Sequence, residues 1–134
     1  MSFSGQPPWW QALHKTGWVV VVASAALVSG EIHAKGQLPG TVTFADLPAL
    51  AQATHQRVLD GGPFPFAKDG AVFGNRERSL PAQTRGFYRE YTVPTAGARN
   101  RGAQRIVCGG TQPRNPQACY YTGDHYLTFR RIAP

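Results

Sequence analysis

One segment of this sequence has the pattern of an α-helix, and every later segment is short, rich in β-forming residues and bounded by glycine or proline. Apolar residues recur at helical spacing from Leu50 to Leu59. Asp46 is the expected N-cap of this helix, with Pro48 in its first turn. The run Gly61-Gly62-Pro63 ends the helix, because it supplies a left-handed cap and then a residue that cannot continue the helix.

The β-rich segments predict the rest of the fold. Five of them are expected to be strands, at residues 41–44, 71–73, 87–93, 104–108 and 126–130. One helix followed by successive strands predicts an α+β domain, in which an N-terminal helix packs on a twisted antiparallel β-sheet. The 134 residues are enough for one domain, since domains typically run to roughly 100–200 residues.

Residues 1–34 are predicted to be a signal peptide. A short region with His14 and Lys15 precedes an uncharged stretch, and small residues favour cleavage after Gly30 or Ala34. The folded domain would then be residues 35–134. A retained membrane anchor is the alternative, but the apolar centre is about half of the ~20 residues that a bilayer requires. We therefore expect a secreted, extracellular protein with no stable membrane association.

The chain has two cysteines, Cys108 and Cys119. In an oxidising compartment, two cysteines in a small domain form a disulfide more often than a metal or redox site. A disulfide that closes the loop between these two cysteines should contribute about 2 to 3 kcal/mol to stability. The segment between the cysteines is predicted to be a surface loop closed at its base by the disulfide.

The charge of the chain is strongly basic, with a formal net charge of +7 and 14 Lys and Arg residues. Eleven of these 14 are Arg, whose planar guanidinium matches the geometry of phosphate. This composition favours a polyanionic partner such as nucleic acid, although an acidic surface would satisfy it equally well.

The segment 87–93 carries the strongest candidate for chemistry. Alternation along a strand places Tyr88, Glu90 and Thr92 on one face. The chain then returns in an antiparallel strand, which brings Arg105 close to Glu90 and leaves Arg101 near the turn. Taken alone, this grouping could be a cross-strand salt bridge, which is common on sheet surfaces and worth little energy.

His125 adds a second candidate, because it is the only histidine after the helix and lies in a turn before the last predicted strand. A lone loop histidine is usually a solvated side chain. Together with Glu90, the two arginines and Tyr126, however, it completes the groups that metal-free phosphoryl transfer from RNA requires. A two-metal nuclease site needs clustered carboxylates that we do not find, so we expect neither metal nor cofactor.

Several motifs follow one another in order between residues 40 and 132: Asp60-Gly-Gly-Pro-Phe-Pro-Phe66, Asp69-Gly-Ala-Val-Phe-Gly-Asn-Arg-Glu77, Leu80-Pro81, Tyr88-Arg-Glu-Tyr-Thr92, Gly97-Ala-Arg-Asn-Arg-Gly102, Arg105-Ile106 and Tyr120-Tyr-Thr-Gly-Asp-His-Tyr126. In these motifs the chain resembles the guanyl-specific microbial extracellular ribonucleases, relatives of barnase. The resemblance implies the microbial ribonuclease fold. It also implies Glu90 as general base, His125 as general acid, Arg101 and Arg105 as stabilisers of the phosphorane, and Tyr126 as a phosphate contact.

The same resemblance assigns guanine recognition to Phe73, Gly74, Asn75, Arg76 and Glu77. A carboxylate at Glu77 could accept both N1–H and N2–H₂ of guanine, and Phe73 and Tyr126 offer faces for stacking a base. The alternative for Glu77 is an ion pair with a neighbouring arginine. Gly74 departs from the family pattern, because relatives often carry a larger polar residue there.

We therefore expect a secreted endoribonuclease that cleaves single-stranded RNA 3′ of guanosine through a 2′,3′-cyclic phosphate. A basic RNA- or polyanion-binding protein without turnover is the alternative from another class, and an antibacterial toxin would use the same chemistry. We expect a monomer. An acidic protein inhibitor inside the producing cell would complement its basic surface.

Overall fold

The structure is a computed structural model, and it describes residues 39–134. The predicted signal peptide, residues 1–34, lies outside the described residues. One helix, α1, spans Ala49–Asp60, and the six strands in chain order are β1 Gly40–Thr43, β2 Ala71–Val72, β3 Tyr88–Thr92, β4 Arg105–Gly109, β5 Ala118–Thr122 and β6 Arg130–Ala133. No helix in this part of the chain is long and apolar enough to cross a membrane.

The helix ends as predicted and begins differently. Gly61 adopts the left-handed conformation (φ 82°), and its N–H caps the last turn. The N-cap position belongs to Pro48, whereas the predicted cap, Asp46, ends a short 3-10 turn and accepts a hydrogen bond from the Thr43 hydroxyl at 2.7 Å. The prediction for Asp46 is wrong because Leu47 precedes a proline and is therefore extended (ψ 148°), which delays the helix.

The strands form one sheet in the order β1-β6-β5-β4-β3-β2. All neighbours pair antiparallel except β1 and β6, which are parallel. The α+β prediction is confirmed. The last strand begins at Arg130 and not at residue 126, and β5 was not predicted as a strand.

Each face of the sheet has its own apolar cluster. On the helix side, Ala51 and Val58 of α1 pack with Tyr91, Ile106 and the disulfide. Leu50 and Leu59, which share the predicted helical pattern, are instead exposed. On the other side, a second cluster contains Leu80, Tyr88, Val107, Tyr120 and Phe129, with Phe73 and Tyr126 packed against it. The candidate residues of β3 and β4 lie on this second side, away from the helix.

Cys108 and Cys119 form the predicted disulfide. The two residues are direct partners across β4 and β5, so the bridge joins two adjacent central strands. It also closes the base of the loop that connects these strands, as predicted from the sequence.

Candidate active site

Glu90 lies in the middle of β3, opposite Val107 of β4 and Ala71 of β2. Its carboxylate has two partners. The Arg101 guanidinium lies 3.3 Å from Oε1, and the Tyr126 hydroxyl donates to Oε2 at 2.6 Å. The Arg101–Glu90 contact is the one ion pair within residues 39–134. Both carboxylate oxygens are therefore held in place, which fixes the direction in which Glu90 can accept a proton.

Arg101 extends from the loop between β3 and β4 toward Glu90. Its Nε donates to the Thr92 hydroxyl at 3.0 Å, and this second contact orients the guanidinium. The neighbouring Gly102 has φ 61°, and a Cβ there would overlap the side chain of Thr95. The close packing of Gly102 against Thr95, within this loop, thus depends on glycine at this position.

Arg105 begins β4 and is 2% exposed. It lies opposite Thr92 and not opposite Glu90, with which it makes no ion pair. Its Nη1 donates to three loop carbonyls, those of Arg101, Gly102 and Gln104, at 2.7–3.2 Å. Its Nε has no partner within the described part of the chain. A buried guanidinium with a free N–H and no ion pair within residues 39–134 is suited to binding an anion.

His125 lies in a tight turn after β5 and is exposed. His125 and Tyr126 have φ values of 55° and 71°, a conformation that costs energy in residues with side chains and persists only when neighbours enforce it. Here the backbone N–H of His125 donates to the Ala103 carbonyl at 3.0 Å, and the backbone N–H of Tyr126 donates to the Thr122 hydroxyl at 3.1 Å. The imidazole lies beside Tyr126, with 4.9 Å between ring centroids.

Asp124 organises this turn and was not identified from the sequence. Its carboxylate accepts from the N–H and the hydroxyl of Thr128, at 2.9 and 2.6 Å, and from the Thr122 hydroxyl. These hydrogen bonds, those from Thr128 first, hold the pKa of Asp124 below its usual value. The available signal was an aspartate within the turn Thr-Gly-Asp, where such side chains commonly bond nearby backbone N–H groups.

Tyr126 contacts more of the candidate residues than any other side chain described here. Besides its bond to Glu90, its ring lies 5.9 Å from the Arg105 guanidinium carbon and stacks on Phe73 at 5.3 Å. Burial, and secondarily the bond to Glu90, raises the pKa of Tyr126 to about 12. The phenol therefore stays protonated near neutral pH and remains a hydrogen-bond donor.

Residues 73–77 form a loop beside Tyr126. The Asn75 side chain bonds both the N–H and the carbonyl of Leu80, which fixes the shape of the loop. Glu77 is exposed and makes no ion pair within residues 39–134. The alternative prediction, an ion pair between Glu77 and a neighbouring arginine, is therefore not seen. A Cβ on Gly74 would meet only the Arg76 side chain, at ordinary contact distances of 3.5 and 3.7 Å, so the backbone does not require glycine there.

The loop borders a cavity of about 210 Å³, whose lining residues are Phe73, Gly74, Asn75, Arg76, Glu77, Ser79 and Tyr126. The six residues predicted to contact guanine all belong to this lining. The four residues predicted to do chemistry border the same Tyr126 side chain, directly or through Glu90. The structure thus brings together a carboxylate, an imidazole and two guanidiniums, which can accept a proton, donate a proton and bind an anion. Within residues 39–134, no group of three or more His, Cys, Asp and Glu residues could hold a metal ion.

Comparison with known proteins identifies similar chains. A profile described as ribonuclease matches residues 31–133. Guanyl-specific ribonuclease Sa of Kitasatospora aureofaciens is 50% identical over 93 residues, 69% of this chain and 93% of that protein. Guanyl-specific ribonuclease Sa3 of the same organism is 48% identical over 93 residues, and the matched part of this chain covers only 63% of its length. A crystal structure of ribonuclease Sa2 with guanosine-2′-cyclophosphate matches with a TM-score of 0.65 and 41% identity, covering 72% of this chain and 97% of that one.

Proposed function

The chain belongs to the ribonuclease family, and on that premise we propose that it is an endoribonuclease that cleaves single-stranded RNA on the 3′ side of guanosine, through a 2′,3′-cyclic phosphate and without a metal ion. Two relatives are named guanyl-specific ribonucleases, and ribonuclease Sa2 binds a guanosine cyclic phosphate. The observation that carries the proposal is the buried Arg105 with its free Nε, next to a carboxylate held by Arg101 and Tyr126.

In the proposed mechanism, Glu90 removes the proton of the ribose 2′-hydroxyl, and the 2′-oxygen attacks phosphorus. His125 protonates the departing 5′-oxygen, which leaves as an alcohol, and the products are a 2′,3′-cyclic phosphate and a free 5′-hydroxyl. Arg101 and Arg105 neutralise the charge on the phosphorane oxygens. In the second stage His125 takes a proton from water, the water oxygen attacks phosphorus, and Glu90 returns its proton to the 2′-oxygen to give a 3′-phosphate.

Guanine specificity is proposed to come from the cavity beside Tyr126. Glu77 is free to accept the two donor groups of guanine, a pair that adenine lacks. The Asn75 side chain is already used within the loop, which leaves backbone N–H groups of Asn75 and Arg76 to serve O6. A cavity of 210 Å³ bordered by Phe73 and Tyr126 provides an apolar wall for the base.

The test uses the dinucleotide GpC in the presence of EDTA. We expect conversion to guanosine 2′,3′-cyclic phosphate and cytidine, and then to guanosine 3′-phosphate. The deoxy analogue should not be cleaved, because it lacks the attacking hydroxyl. Glu90→Ala and His125→Ala should each lower kcat by roughly 10² to 10⁴, whereas Arg57→Ala, on the helix side of the sheet, should not change it. Binding of GpC without any product would instead support an RNA-binding protein.

Export is part of the proposal. We propose that residues 1–34 are a signal peptide cleaved after Gly30 or Ala34, and that the mature enzyme is a secreted monomer inhibited in the producing cell by an acidic protein. The surplus of cationic residues supports an acidic partner. The N-terminal sequence of protein from culture medium identifies the cleavage point, and recovery of residue 1 at the N-terminus would contradict processing.

A further inference from the structure

A second cavity, of about 610 Å³, adjoins the proposed guanine cavity. It shares residues 73–76 with that cavity, but Glu77 and Tyr126 do not line it. Its other walls come from Val72 of β2, the segment 83–85, and Tyr88 and Glu90 of β3. We call it the 83–85 pocket. Its volume lies in the range of pockets that hold small organic ligands, about 300–1,000 Å³.

The walls of the 83–85 pocket combine an apolar surface with polar and cationic groups. Val72 is 48% exposed, unusual for a valine in a strand, and no part of the proposed guanine site uses it. Gln83, Thr84 and Arg85 are exposed, and their side chains make no hydrogen bond within residues 39–134. Arg85 also makes no ion pair there. An apolar patch beside a free guanidinium matches a nucleotide, which has an apolar base face and an anionic phosphate.

The order of the strands indicates which nucleotide this would be. From β5 to β2, the sheet carries the His125 turn, then Arg105 on β4, Glu90 on β3, and finally Val72 on β2. In an in-line displacement, the attacking and leaving oxygens lie on opposite sides of phosphorus. The leaving nucleoside therefore lies toward His125, and the guanosine ribose lies toward Glu90. The 83–85 pocket is beyond Glu90, on the side away from the leaving group.

We propose that the 83–85 pocket binds the nucleotide on the 5′ side of the guanosine, with its base on Val72 and its phosphate on Arg85. This inference rests on the proposed function, because it takes the direction of the RNA chain from the proposed roles of Glu90 and His125. The enzyme would then favour guanosines inside a chain over those at a 5′ end.

The test compares three substrates of the full-length protein: GpC, ApGpC, which is extended on the 5′ side, and GpCpA, which is extended on the 3′ side. We expect kcat/KM to be about three- to tenfold higher for ApGpC than for GpC, the size of one partly exposed charged contact. Arg85→Ala should remove most of this increase. It should leave the ratio of kcat/KM for GpCpA to kcat/KM for GpC unchanged. It should also lower the salt dependence of ApGpC cleavage by about 0.7 in the slope of log(kcat/KM) against log[salt].

Two further variants make the result interpretable. Arg57→Ala, on the exposed side of α1, removes the same charge far from the pocket and should not change the substrate ratios. Val72→Asp places an anion in the pocket and should also abolish the gain of ApGpC. If GpC is cleaved but ApGpC shows no gain, or if Arg85→Ala acts on GpCpA instead, the inference is wrong and the proposed function stands. If GpC itself is not cleaved, the proposed function fails.

Discussion

Removing one oxygen atom from Tyr126 tests how the proposed base is positioned. In Tyr126→Phe the ring remains, so its stacking on Phe73 at 5.3 Å and its contact with Arg105 are retained. The variant loses the hydrogen bond to Glu90 Oε2 at 2.6 Å. Glu90 is then held only through Oε1 by Arg101, and its carboxylate can rotate away from the 2′-hydroxyl.

The expected loss follows from the kind of bond that is removed. A hydrogen bond to a charged group is worth about 1.5–3 kcal/mol. If that energy serves to position Glu90 in the transition state, kcat falls by about ten- to a hundredfold, since each ~1.4 kcal/mol corresponds to a factor of ten. KM should change little, because the aromatic surface of Phe73 and Tyr126 that borders the proposed guanine cavity is intact.

The assay is steady-state cleavage of GpC, with kcat and KM determined separately. Tyr121→Phe is the matched control, because its hydroxyl donates to the Gln104 side chain at 2.9 Å on the helix side of the sheet. Tyr121→Phe should lose about 1 kcal/mol of stability through its missing neutral bond, and Tyr126→Phe about 1.5–3 kcal/mol through its missing bond to a carboxylate, but only Tyr126→Phe should lose kcat. A kcat for Tyr126→Phe within about twofold of the wild type, or an equal loss in Tyr121→Phe, would refute the positioning role.

Three further outcomes are expected. Glu77→Ala should reduce discrimination between guanine and adenine by about 1–3 kcal/mol, measured as the ratio of kcat/KM for GpC and ApC; equal losses on both would contradict a role in recognition. Replacing Cys108 and Cys119 by alanine should lower the free energy of unfolding by about 3 kcal/mol, the loop-closure value for a separation of 11 residues, and a urea titration showing less than ~1 kcal/mol would refute it. Burial raises the pKa of Tyr88 and Tyr126 to about 12, so the folded protein keeps phenolic protons that the unfolded chain releases near pH 10. The free energy of unfolding should therefore be unaffected by these two groups below pH 10 and should decrease between pH 10 and pH 12. Urea midpoints that stay constant between pH 10 and pH 12 would contradict this.

The features that the sequence predicted well depend on neighbouring residues. The end of α1 depends on Gly61, which adopts the left-handed conformation that the pattern requires. The alternation of β3 places Tyr88 and Glu90 on one face, and the structure has Tyr88 in the cluster on that side. These features need only the period of a strand and the conformational freedom of glycine, so they are readable without knowledge of the fold.

The features that the sequence missed depend on contacts between distant residues. A strand was predicted from residue 126, but Tyr126 has positive φ because the Thr122 hydroxyl and the Ala103 carbonyl hold the turn. Arg105 was expected close to Glu90, and it does lie on the same face of the sheet, but its direct partner across the strands is Thr92, which the sequence did not predict. Neither has a complete local signal, because the turn is held in part by the Ala103 carbonyl of another loop and the register is set by the pairing of two strands.

The pairing of β1 with β6 has a consequence for how the enzyme is made. Gly40 pairs with Arg130 and Thr43 with Ala133, so the first and last strands of the domain are each other's neighbours. A ribosome delivers the chain from its N-terminus, and β1 has no neighbouring strand to bond until residues 130–133 emerge. The sheet is therefore completed only after β6 has been delivered, and such long-range pairing makes assembly slow.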